Sequence, residues 1–176
     1  EEPYYLTHNC RNTDKIHEFA YKFYGGIKTY PPDILGHSVE FIEAVSTEKQ
    51  AVKIHSLIME LLQKESIASS QIKVLLHKKT GKHQELLFKL PLPKPLYWKG
   101  VGDSKVISNS LKSKHEHEQE CIQIETIGRF KGLEADILIL WGLEHLDPER
   151  DRELFYVATS RAKSRLFIAA NENFFN

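Results

Sequence analysis

No run of apolar residues approaches the length needed to cross a bilayer, and the opening EEPYYLTHNC has neither the basic nor the apolar region of a secretory leader. A membrane partner is therefore not expected. An excess of charge of one sign is also lacking. Lys plus Arg and Asp plus Glu stand at 24 each, so bulk charge recruits neither nucleic acid nor acidic membrane, and any anion site must be arranged locally. Cysteine is scarce. Cys10 and Cys121 each lie in or beside an apolar, strand-like run, as free thiols of a reducing compartment do, and they read as core residues of a cytoplasmic protein. The one methionine is Met59, so the chain has no initiator at position 1, opens in mid-strand and reads as a piece excised from something longer. What is present is ample: 41% hydrophobic residues in a chain of 176 suit one domain with a real core.

Residues 4–6, aromatic and apolar after Pro3, suit a strand entering a sheet. Thr13 or Asn12 can cap a following helix in which Ile16, Phe19, Ala20 and Phe23 recur at helical spacing, with Gly25 and Gly26 available for a left-handed exit. Residues 39–45 alternate as a strand; Ala51, Ile54, Ile58, Leu61 and Leu62 mark one face of a longer helix; residues 72–76 form the next strand. A helix over residues 80–88, the breaker PLPKP and a short strand at 96–98 follow. The polar stretch SNSLKSKHEHEQE, residues 108–120, reads as a loop or solvated helix, and the spacing within His115-Glu116-His117-Glu118 is not that of a zinc-protease helix. Trp98 reads as a core or subdomain-contact residue rather than a base-stacking one, and Tyr4, Tyr5, Tyr21, Tyr24 and Tyr30 belong to the core and its rim.

Strands at 122–127, 137–141 and 166–170 complete the pattern, with a helix between the last two that Asp147 can cap and Pro148 can open. Runs such as ILILW between helices are what strands covered on both faces look like, and strand-helix-strand units make parallel sheets. The expectation is an α/β fold of three layers, a mostly parallel β-sheet flanked by helices, in one domain over residues 1–176 with residues 100–120 a loop region.

Open parallel sheets collect function in loops at the carboxyl ends of their strands. Three segments fit that rule: Arg11 at the start of the first helix, the turn from Arg129 to Glu134, and Arg161 near the end of the Asp147 helix. Leu154, Val157 and Ala158 bracket the direction of Arg161, which sets a guanidinium on an apolar helix face. Such a charge needs an anionic partner or an exit to solvent. Taken singly, Arg161 could be a structural ion pair or a stem that snorkels to water, Arg11 a surface residue, and Lys131 with Glu134 an ordinary polar turn.

Together they spell more. LTHNCRNTDKI (residues 6–16), TIGRFKGLEADILIL (residues 126–140) and LFYVATSRAKSRLFI (residues 154–168) resemble, in order, motifs IV, V and VI of the UvrD/Rep-like helicases of superfamily one. The middle of the chain, roughly residues 36–120, matches only as a strand and helix pattern. The resemblance implies the second RecA-like domain of an ATP-dependent DNA helicase. Arg11 and Arg161 would reach the γ-phosphate of ATP held, with Mg2+, mainly on the amino-terminal RecA-like domain of the same parent chain. Lys131, Gly132 and Glu134 would lie beside the nucleotide, the glutamate accepting from a sugar hydroxyl. Thr126, with backbone near Ile127, Gly128 and Arg129, would touch the phosphates of single-stranded or partly duplex DNA.

Departures exist. Gly128 stands where relatives commonly carry a histidine that helps hold DNA, Ser160 replaces the commoner threonine before Arg161, and no large insertion separates the first motif from KGLE. No G-x-x-x-x-G-K-[ST] occurs, and Gly81-Lys82-His83 lacks the upstream glycine and the hydroxyl that would hold magnesium. The residues alone thus predict no ATP hydrolysis by this piece. The rivals are a degenerate RecA-like domain that binds nucleic acid or a partner without hydrolysis, and a structural α/β domain.

Overall fold

A computed structural model describes residues 7–78, 81–102, 120–170 and 174. The expected strand at residues 4–6, Tyr4 and Tyr5, and the 103–119 part of the expected loop region lie outside these residues. The β-strands are β1 (Glu40–Phe41), β2 (Ile72–Leu76), β3 (Tyr97–Lys99), β4 (Cys121–Thr126), β5 (Ala135–Trp141) and β6 (Ala162–Ile168). They form a six-stranded sheet in the order β1-β6-β5-β2-β4-β3, with every pairing parallel. The central strands are almost wholly buried, which is why they read as continuous apolar runs.

The pleat sends alternate side chains to opposite layers. Ile137, Ile139 and Trp141 join Ile72, Val74, Ile122 and Ile124 under helices α2 (Thr47–Gln63) and α3 (Gly81–Phe88), where Ile54, Ile58 and Leu61 are fully buried. Leu138 and Leu140 turn the other way, against Ile16 and Phe19 of α1 (Asp14–Tyr21) and Phe155 and Ala158 of α4 (Arg152–Thr159). This is the helix-sheet-helix arrangement expected of a RecA-like α/β fold.

Several expectations shift. The strand expected over 39–45 shrinks to Glu40–Phe41, because it sits at the sheet edge with only β6 to pair with. Helix α1 ends at Tyr21 with Lys22 right-handed as its cap; among the described residues Gly25 and Gly26 do not have positive φ, so neither supplies a left-handed exit. Asp147 does not open α4. Its carboxylate accepts from the backbone N–H groups of Glu149 and Arg150, capping a separate turn, and the helix starts five residues on from it, at Arg152. The final strand begins at Ala162 rather than 166. Cys121 is buried as expected, whereas Cys10 is exposed. Trp98 is a core residue, its indole N–H donating to the Leu90 carbonyl at 2.8 Å, and Tyr30 is exposed rather than core.

The connection from β4 to β5 positions the site. Thr126 and Trp141 both lie level with Leu76, so the chain must return from the carboxyl end of β4 to the amino end of β5, a drop of roughly 20 Å along the strand axis. Residues 127–134 make it without a helix, by successive turns (Phe130 N–H to Thr126 carbonyl and Leu133 N–H to Phe130 carbonyl, each 3.0 Å). Ile127 and Phe130 pin this crossing to the α1 and α4 face. Gly132, at φ 89°, makes the bend an L side chain would resist.

Candidate functional site

Arg11 and Arg161 converge, but not at the carboxyl edge of the sheet. Arg161 immediately precedes β6 and Glu134 immediately precedes β5, so both stand at the amino-terminal rim. Arg11 joins them from the segment before α1, its Nε 3.0 Å from Glu134 Oε2. The expectation of a carboxyl-edge site is thus corrected for these residues, and the cause is the crossing connection: one turn begins at one edge and ends at the other. Thr126 and Arg129 remain at the carboxyl end of β4.

Arg161 does not ride the middle of a helix face either. Helix α4 stops at Thr159, Ser160 caps it, and Arg161 lies in the turn into β6, half-buried, its Nε donating to the Val157 carbonyl at 3.2 Å. It makes no ion pair with any described residue. Burial, and next the Arg11 charge, hold its guanidinium below the ordinary value, while Tyr156 and Glu134 act in the opposite sense. Two guanidiniums and one carboxylate therefore share a small region, which leaves a local excess of positive charge in a chain with none overall.

Three contributors escaped the sequence. Tyr156 lies within electrostatic reach of both arginines and packs on Tyr24 with ring centroids 4.7 Å apart; burial and Tyr24 raise its phenol, which the arginines oppose. Asn12, 2% exposed, ties the Arg11 segment to the backbone around Arg161. Glu125 is a buried carboxylate whose Oε1 accepts from the Thr126 N–H at 2.9 Å and lies 3.2 Å from Arg129 Nε. Apolar neighbours concealed Tyr156 and Glu125, and Asn12 reads as a local cap, since nothing local announces a partner far along the chain.

At the carboxyl end of β4, the Thr126 hydroxyl accepts from the Arg129 N–H at 3.3 Å, fixing the turn, and Gly128 and Arg129 are exposed. Lys131 is exposed midway along the crossing. Ile127, Gly128 and Lys131 line a groove of about 670 Å³ facing the mixed-charge run from Glu149 to Glu153 and Val157, without Arg11 or Arg161 in its lining. Another polar cluster occupies the carboxyl edge: His83 Nε2 lies 3.4 Å from Glu144 Oε1 with its ring against Trp141. Among the described residues no group of three or more His, Cys, Asp or Glu is placed to hold a metal ion, and no helix is long and apolar enough to cross a membrane.

A comparison with curated proteins finds no match. Among solved structures, the fold is similar to the C-terminal domain of a possible DNA helicase from Lactobacillus plantarum WCFS1, with a TM-score of 0.56 and 19% identity over 91% of this chain and 86% of that one. The Pyrococcus furiosus Hef helicase domain is also similar, at a TM-score of 0.41 and 16% identity over 69% of this chain and 26% of that one. The family model of the UvrD-like helicase C-terminal domain matches residues 103–173, a stretch that holds Thr126, Lys131, Gly132, Glu134 and Arg161 and leaves Arg11 outside. Residues 103–173 are thus similar to the UvrD-like helicase C-terminal domain.

Proposed function

We propose that the chain is the carboxyl-terminal motor domain of an ATP-dependent DNA helicase or translocase, and that it completes an ATP site carried mainly by the amino-terminal RecA-like domain of the same parent chain. The observation that carries this reading is the meeting of Arg11 and Arg161 beside Glu134. A guanidinium fork binds phosphate at two points, and a cation placed on a transferring phosphoryl group is worth roughly 10³ to 10⁵ in rate in nucleotide hydrolases. Arg161, with Nε on Val157, directs its terminal NH₂ groups to the γ-phosphate. Arg11 joins it when the nucleotide competes for the guanidinium that Glu134 holds. Glu134 then accepts from the sugar, with Lys131 and the Gly132 backbone alongside. On this reading ATP and Mg2+ are bound mainly by groups of the amino-terminal domain.

On this reading the piece alone is inactive, and the opposite end of the crossing, Thr126 to Arg129, meets single-stranded or partly duplex DNA. The bound nucleotide biases a two-state closure, and the connection links its rim to the DNA edge. The test is DNA-stimulated ATP hydrolysis by the full-length parent. Arg161→Ala and Arg11→Ala are each expected to lower kcat by about 10³ while leaving circular dichroism and thermal melting of the domain near wild type. Wild-type turnover in both variants would reject the motor reading, and collapse of the fold in Arg161→Ala would show a structural role instead.

A further inference from the structure

The backbone on which Arg161 stands is held by four hydrogen bonds from three donor groups elsewhere in the chain. The side-chain nitrogen of Asn12 donates to the carbonyls of Ser160 (3.0 Å) and Ala162 (2.5 Å), the groups on either side of Arg161. The Ala135 N–H donates to the carbonyl of Arg161 itself, and the Thr13 N–H to that of Lys163, at 3.0 and 3.1 Å. The orientation of the Asn12 amide is settled by its other end, because Oδ1 accepts from Asn9 Nδ2 at 2.8 Å. Asn9 in turn accepts the Arg11 N–H at 2.9 Å. The segment that carries one arginine thus grips the backbone that carries the other.

We propose that Asn12 is a positioning residue for the phosphate-binding pair: it fixes the register of Arg161 against Arg11, and without its two donors Arg161 loses its aim rather than its charge. The inference rests on the nucleotide reading above. A buried cap would need only the α1 backbone, yet the Asn12 amide nitrogen is committed to residues 160 and 162, and Thr13, not Asn12, occupies the cap position. A misplacement near 1 Å in such a group costs about 10²-fold in rate.

The test uses the full-length parent with saturating single-stranded DNA. Asn12→Asp keeps the shape but turns a carboxylate oxygen toward two carbonyl oxygens. The expected result at pH 8 is a kcat lowered about 10- to 100-fold with KM for ATP changed less than about threefold. As the pH is lowered toward 6 the variant regains ground relative to wild type, since a protonated carboxyl donates to one of the carbonyls. Asn12→Ser, which keeps a hydroxyl donor, falls between the two and serves in place of Asn12→Asp if that variant does not fold. The double variants with Arg161→Ala decide the mechanism. A positioning residue makes no further difference once Arg161 is gone, whereas losses that multiply show an independent effect and overturn the proposal. An unchanged kcat in both Asn12 variants overturns it as well. A wild-type parent without ATP turnover is a distinct outcome: it sinks the nucleotide reading and this inference with it.

Discussion

At Gly132 the φ of 89° and the open space around the position a Cβ would occupy separate two effects that usually come together. Alanine there meets no atom within 4 Å, so its cost is that of the backbone alone, about 1–2 kcal/mol. Gly132→Ala is expected to lower the urea-unfolding free energy by that amount with an unchanged m-value; a neutral result would mean the crossing turn adapts freely. Single residues were unevenly legible. Arg161 drew notice as a charge among Leu154, Val157 and Ala158, although it lies past the end of α4 in the turn into β6 and not on that helix face. Asn12 did not, because an asparagine before a helix reads as a local cap, while its acceptors lie 148 and 150 residues away. Cys10 was misread as core, since a thiol beside an apolar run carries no mark of which side of the layer it faces.

Helix α2 shows what an element contributes when sequence and structure agree. Ser46 caps it through the Lys49 N–H at 3.3 Å, and Ile54 and Ile58 lie at zero exposure on the sheet while Val52 faces water. Ile58→Ala is expected to cost about 2–5 kcal/mol, Ser46→Ala about 1, and Val52→Ala no more than about 0.5, measured by equilibrium denaturation. A Val52 loss equal to that of Ile58 would contradict the assigned face. Such long amphipathic helices and buried strands were readable because their periodicity extends over several turns or a full apolar run. The start of α4 was not, because Asp147 does make cap-like hydrogen bonds, only to a turn ahead of the helix. The length of β1 was hidden for a different reason: alternation shows which face a strand presents, and only pairing decides where it ends.

For the whole molecule, acid weakens the fold through two desolvated imidazoles, His17 buried and His77 partly so. Burial lowers both His17 and His77 from the ordinary histidine value of 6.5; next, Thr29 backbone raises His17 while Lys78 lowers His77 further. A folded-state pKa below the unfolded one means that the unfolded chain binds more protons, so stability is full above about pH 7 and declines as pH falls through 6.5 toward the lowered values. The melting temperature should therefore drop between pH 7.5 and 5.5 by roughly a few degrees, and His77→Gln should flatten part of that slope; a flat wild-type profile would refute the assignment. The three-layer parallel class was legible from the runs themselves, but the strand order was not, and with it went the edge at which the arginines stand. The contacts that join residues 12 and 13 to residues 160–163 have a consequence for biosynthesis. A ribosome releases Arg11 long before Arg161, so the rim stays open while the intervening residues are made and shuts only when β6 emerges. A chain interrupted before Ala162 can build much of the sheet and still present no arginine pair.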